Sequence, residues 1–195
     1  MMTGIYGGTF SPIHYGHINA AHEFLRQCKL DHLYIVPAAI PPHKRIDESD
    51  NPDIRYEMVK LAFKDEPHIT VSDFEIKSKG LSYTVNTLKH FREQYGDNIK
   101  FLCGADMFVT LDKWYKAAEI FALSGIVYVD RGNINIADKA NEYRQTYNAD
   151  ISGIKMPAVD ISSTKLREMI ASGENVTEFI PTDIVKFIKA HGLYV

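Results

Sequence analysis

Short apolar runs alternate with helix-length patterns along most of this 195-residue chain, and that alternation leaves few architectures open. The runs Gly4-Ile5-Tyr6, Leu33-Tyr34-Ile35-Val36, Ile69-Thr70-Val71, Ile99-Lys100-Phe101-Leu102 and Ile126-Val127-Tyr128-Val129 are rich in β-branched and aromatic residues and bounded by turn formers, which predicts strands. Between them, apolar residues recur three or four apart, as in Ile54, Met58, Leu61, Ala62 and again in Val85, Leu88, Phe91, the latter stopped by Gly96. A helix near Ile136 to Tyr147, a strand at Ile151 to Met156 and an amphipathic C-terminal helix carrying Ile184, Phe187 and Ile188 complete the order. Strand and helix in alternation predict an α/β fold. Its sheet is parallel with helices on both faces, and ligands are expected beyond the carboxyl ends of the strands, near a switch in strand order.

A hydrophobic content of 45% over this length suffices for one sizeable core, so a single domain spanning 1–195 is expected. The net charge of −3 offers no broad basic surface for nucleic acid, and positive charge must be local to a site for small anionic ligands. Met1 to Tyr6 lack a basic leader and no run of about 18 apolar residues occurs, which predicts a soluble, cytoplasmic protein without a membrane partner; homo-oligomerisation stays open. Cys28 and Cys103 are too few for a disulfide framework or structural zinc and read as buried small hydrophobes. The segment Ala38 to Pro52, with Pro41, Pro42 and the acidic run from Asp47 to Asp50, predicts a mobile loop.

The window Gly7-Gly8-Thr9-Phe10-Ser11-Pro12-Ile13-His14-Tyr15-Gly16-His17 follows the first strand and leads into a helix. Glycines there let the backbone turn sharply and approach a ligand, and the first N–H groups of the helix point outward with the positive end of its dipole behind them, an arrangement suited to phosphate. His14 and His17, three residues apart, add donors on one face, and Gly16 between them keeps the approach open. The same pair could form half of a metal site, but the chain has neither a His-Glu-x-x-His helix nor a close Cys pair to complete one. Far downstream, Ile161-Ser162-Ser163-Thr164-Lys165-Leu166-Arg167 places three hydroxyls before a helical pattern, either as an ordinary cap or as an anion site whose planar fork is Arg167.

Together, Gly-Gly-Thr-Phe-x-Pro-x-His-x-Gly-His and Ile-Ser-Ser-Thr-x-x-Arg resemble the nucleotidyltransferase superfamily, and within it the bacterial nicotinate-nucleotide adenylyltransferases. The likeness runs from Met2 to Tyr194 through Ile40-Pro41-Pro42-His43-Lys44, Arg55-x-Glu57-Met58, Ser82-Tyr83-Thr84, Gly104-Ala105-Asp106-Met107 and Trp114-Tyr115. It implies a Rossmann-like doubly wound parallel sheet with a C-terminal helical region at 161–195. It also implies transfer of the adenylyl group of ATP to nicotinate mononucleotide in NAD biosynthesis, with Mg²⁺ carried by substrate phosphates rather than by protein ligands. The Rossmann dinucleotide fingerprint and Walker A sequence are both absent.

The resemblance assigns roles by position. His14, His17 and Arg167 are the catalytic candidates, with His17 at the transferring phosphate. Gly7, Gly8, Thr9, Phe10, Gly104, Asp106, Ser162, Ser163 and Thr164 are expected to hold ATP, Asp106 through the ribose hydroxyls. Lys44, Tyr83, Thr84, Trp114 and Tyr115 are expected to hold the mononucleotide, with the indole stacked on the pyridine ring and backbone amides near Thr84 and Tyr115 reading its carboxylate. Ser11 stands where relatives carry Asp or Asn, and Arg131 precedes Gly132 where they tend to have Pro. Pantetheine-phosphate adenylyltransferases and cytidylyltransferases share the two phosphate clusters, so the middle of the chain must select the acceptor.

Overall fold

The computed structural model describes residues 1–42, 51–78, 80–130, 136–156 and 161–195. Along the chain come β1 (Thr3–Gly8), α1 (Tyr15–Gln27), β2 (His32–Pro37), α2 (Pro52–Ala62), β3 (Ile69–Val71), α3 (Phe74–Lys77), α4 (Thr84–Tyr95), β4 (Ile99–Gly104), α5 (Ala105–Phe108), a single 3₁₀ turn at Leu111–Lys113, α6 (Ala117–Leu123), β5 (Gly125–Asp130), α7 (Ala137–Tyr147), β6 (Ile151–Lys155), α8 (Ser163–Ala171) and α9 (Thr182–Ala190). Every predicted strand is present. The strands form one six-stranded sheet in the order β3-β2-β1-β4-β5-β6, parallel at each pairing.

That order reverses direction between β1 and β4, and it is the switch point at which an open α/β sheet leaves a crevice beyond its carboxyl ends. β1 ends there at Gly8 and β4 at Gly104.

Successive strand residues face opposite sides of the sheet, so each strand feeds two cores. Tyr6, Ile35, Leu102 and Val127 pack with Phe24 of α1, Met58 of α2, Leu166 of α8 and Ile184 of α9. Ile5, Val36, Phe101 and Ile126 pack on the other side with Leu88 and Phe91 of α4, Ile120 of α6 and Tyr143 of α7. Each fully buried side chain of this size contributes about 1.5–3 kcal/mol. Burial on both faces explains why the strands read as continuous apolar runs.

The structure corrects two local expectations and leaves a third untested. The buried stripe of α2 is Arg55, Met58 and Val59, with Ile54 only half-buried; the arginine is tolerated inside because carbonyl oxygens receive it. Cys103 is buried and its thiol is pushed up to about 12 by desolvation, but Cys28, at the end of α1, is only half-buried. The segment following β2 is tied down at its start, where the Ala38 N–H donates to the Gly8 carbonyl at 2.9 Å and Ile40 bridges to Leu81; residues 43–50, on which the expectation of a mobile loop mainly rests, lie outside the described residues. No helix among the described residues is long and apolar enough to cross a membrane.

Candidate active site

The turn after β1 is shaped by Phe10. Its backbone is left-handed at φ 51°, a conformation that costs a bulky residue of order 1–3 kcal/mol. Burial of its ring, 2% exposed, offsets the cost. The ring meets Tyr6 and His17 edge-on, at centroid distances of 5.4 and 5.1 Å. It also lies where a side chain on residue 8 would be, since a Cβ built on Gly8 falls 2.7 Å from the ring. The second glycine is therefore required by this packing.

α1 opens at the sheet's carboxyl end with His14 as its N-cap, where the ring Nδ1 accepts the Gly16 N–H at 3.1 Å. With Nδ1 accepting, the neutral ring carries its proton on Nε2 and presents a donor. His17, one turn in, lies across His14 with ring centroids 3.8 Å apart and planes tilted by 31°. The two imidazoles thus share one face, although His14 sits at the cap and not inside the helix.

The remote hydroxyl cluster comes to the same place. Ser162 caps α8 by accepting the Lys165 N–H at 3.2 Å. Ser163 Oγ donates to the Pro12 carbonyl at 3.0 Å, and Arg167 Nη1 donates to the Ser11 carbonyl at 2.7 Å, with Nη2 3.4 Å from Thr164 Oγ1. The N-termini of α1 and α8 therefore flank one turn. Imidazole, hydroxyl and guanidinium donors concentrate there, which suits a polyanion. Ser11 carries a further contact, from its Oγ to the Tyr194 hydroxyl at 3.3 Å.

A cavity of about 160 Å³ adjoins this turn, lined by Gly7, Gly8 and Thr9 on one side and by Tyr83, Thr84, Trp114 and Tyr115 on the other. Trp114 leaves the 3₁₀ turn in extended conformation and meets Phe101 of β4 edge-on at 6.4 Å, and the Tyr83 and Tyr115 rings lie 4.5 Å apart at the rim. The Tyr143 hydroxyl of α7 fixes this turn by donating to the Phe108 carbonyl at 2.9 Å while contacting the Asp112 carboxylate at 3.0 Å. Asp106 is exposed in the first turn of α5 and makes no cap, the cap position being Gly104. A larger, more open groove of about 340 Å³ lies away from these residues, between α2 and α9.

Residues 5–169 match the cytidylyltransferase-like family. The chain belongs to that family. Among its cytidylyltransferase-like relatives is a "Probable nicotinate-nucleotide adenylyltransferase" of Clostridium botulinum (strain Hall), 42% identical over 195 residues, which span 97% of each chain. A protein of the same name from Clostridium tetani is 36% identical over 194 residues, again 97% of each. The nicotinic acid mononucleotide adenylyltransferase of Plasmodium falciparum, solved in complex with NaAD, shares the fold at a TM-score of 0.82 and 18% identity, over 98% of this chain and 96% of that one.

In this family member, two buried charged residues join the site that sequence reasoning did not assign to it. Arg55 of α2 is fully buried and donates from Nη1 to the Thr9 carbonyl at 2.8 Å and from Nη2 to the Ala39 carbonyl at 3.1 Å. Its signal was a charge on an otherwise apolar helix stripe. Glu75 of α3 lines the cavity and accepts from Thr87 Oγ1 at 2.5 Å, and burial pushes its carboxyl above the ordinary range against the pull of that bond. A four-residue helix offers no periodicity that could have flagged it. Lys44, Arg131 and Gly132 lie outside the described residues. Among the described residues, no three His, Cys, Asp or Glu side chains gather closely enough to hold a metal ion.

Proposed function

We propose that this protein transfers the adenylyl group of ATP to the phosphate of nicotinate mononucleotide, releasing pyrophosphate and forming nicotinate adenine dinucleotide (deamido-NAD) for NAD biosynthesis. The observation that carries this reading is the meeting of the Ser11–His17 turn with Ser163 and Arg167 at the strand-order switch. The names of the full-length clostridial relatives support it.

The acceptor phosphate is already anionic, so no protein nucleophile is needed. The enzyme's work is to align two anions and to stabilise charge on the transferring and leaving oxygens. His14 and His17 donate to the α-phosphate region, His17 being the half-exposed ring with reach into the crevice. Gly7, Gly8, Thr9 and the Phe10 amide cradle the triphosphate. Ser162, Ser163, Thr164 and Arg167 take the leaving pyrophosphate, and Asp106 beside Gly104 takes the ribose hydroxyls. Donors of this kind suit phosphate oxygens and not a cation, so Mg²⁺ enters as the ATP complex, held by phosphate oxygens and water.

Trp114 stacks on the pyridine ring. The N-terminus of α4, which has no side-chain cap at Tyr83, faces the ring carboxylate with Thr84 and the Tyr115 backbone. Lys44 neutralises the mononucleotide phosphate. Both substrates are soluble metabolites, and a cytoplasmic location without nucleic-acid or membrane partners goes with this chemistry.

Pyrophosphate release from ATP, measured with nicotinate mononucleotide, nicotinamide mononucleotide and phosphopantetheine in turn, tests the assignment. The nicotinate compound is expected to be the best acceptor by kcat/KM, and a higher value with either of the others would overturn it.

A further inference from the structure

Tyr143 of α7 is fully buried and stands outside the lining of the cavity, yet its hydroxyl meets the chain at two places just before Trp114. It donates toward the Phe108 carbonyl at 2.9 Å and toward Asp112 Oδ1 at 3.0 Å, sharing one proton between them, and it accepts the Asp112 N–H at 3.3 Å. Lys139, one turn earlier on α7, donates to the other carboxylate oxygen of Asp112 at 3.0 Å. The side chains of Lys139 and Asp112 are 22% and 23% exposed, so solvent screens this pair less than an ion pair on the open surface. α7 therefore grips the last residue of α5 and the middle residue of the 3₁₀ turn together.

A single 3₁₀ turn has little strength of its own. Here it carries an aromatic wall of the cavity: the Trp114 N–H donates to the Leu111 carbonyl at 3.1 Å, and the indole lies against Phe101 in the cavity lining. The direction of the indole follows the tilt of the turn, and Tyr143 holds that tilt from the side away from the cavity. Asp106 is placed differently, since α5 begins directly at the end of β4 and keeps that anchor.

We propose that Tyr143 is a positioning residue for acceptor binding, its hydroxyl acting through Phe108 and Asp112 to aim Trp114 into the cavity. This deepens the adenylyl-transfer reading and rests on it. Tyr143→Phe keeps the ring and its edge-on packing against Phe108 at 5.2 Å, and removes only the hydroxyl that holds the turn. The Phe108 carbonyl then loses that donor, and the turn is free to shift.

Trp114 is the chain's single tryptophan, so its emission reports on that indole alone. The test measures tryptophan emission and acrylamide quenching on the unaltered protein and Tyr143→Phe, with steady-state kinetics for ATP and nicotinate mononucleotide on both, on Trp114→Ala and on the double variant. Tyr143→Phe is expected to shift the emission maximum, to raise the quenching constant, and to raise the mononucleotide KM about five- to tenfold, the loss of one buried hydrogen bond. The KM for ATP and kcat should stay within about twofold, and the double variant should be no worse than Trp114→Ala alone. Unchanged emission and quenching, an unchanged mononucleotide KM, an equal rise for both substrates, or additive effects in the double variant would overturn the proposal. Emission needs no turnover, so an unaltered enzyme that fails to use nicotinate mononucleotide would strike the function, while the optical result still decides whether Tyr143 holds Trp114. If Tyr143→Phe does not fold, Asp112→Ala decides: the same optical shift with a selective rise in mononucleotide KM supports the proposal, and no change overturns it.

Discussion

Ser163 Oγ donates to the carbonyl of Pro12 at 3.0 Å, joining residues 151 positions apart in the chain. With Arg167 on the neighbouring Ser11 carbonyl at 2.7 Å, this bond joins two sequence-distant turns into the proposed anion site. Removing either partner therefore disturbs a geometry that local secondary structure cannot restore.

His17→Ala is expected to lower kcat by on the order of 10² or more with only a modest change in ATP KM, because a preorganised donor aimed at developing charge acts mainly in the transition state. Steady-state pyrophosphate release checks this, and undiminished kcat would remove His17 from the chemistry.

His14 has two separable duties, capping α1 through Nδ1 and presenting Nε2. His14→Ala should lose both, costing about 1 kcal/mol of stability along with turnover. His14→Asn restores a good cap and should recover the melting temperature while turnover stays low. Recovery of turnover in the asparagine variant would mean that capping was its only role.

Trp114→Ala should raise the mononucleotide KM with ATP KM largely unaffected, since the indole lines the cavity proposed to take the acceptor. Equal effects on both substrates, measured in the same assay, would argue against stacking.

Arg55→Lys replaces a fork that reaches two carbonyls with a single point donor. One buried carbonyl is left unsatisfied at a cost of about 1–3 kcal/mol, visible as a lower melting temperature. Because the two carbonyls belong to Thr9 and Ala39, turnover should fall as well; full activity with unchanged melting would contradict the bracing role.

Much of this was legible in the residues. The alternation of apolar runs with helical spacing gave the strands in correct order, because strands buried on both faces leave little room for polar residues. His14, His17, Ser163 and Arg167 stood out because phosphate recognition uses typed residues at fixed offsets from a helix start. Their convergence was expected from the resemblance, which puts both clusters on one triphosphate, and not from anything local, since nothing near Ser163 specifies Pro12 as its partner. Arg55 and Glu75 escaped for a related reason: their importance lies in which groups the folded chain brings to them, and one sits on a stripe read as apolar while the other occupies a single helical turn.

Following the label from ATP into product tests the central claim most directly. With the acceptor nicotinate mononucleotide, label on the α-phosphate should appear in the dinucleotide and label on the γ-phosphate in pyrophosphate, both lost together in Arg167→Ala. Label from the γ-phosphate in the nucleotide product, or in free orthophosphate with none in the dinucleotide, would contradict the account.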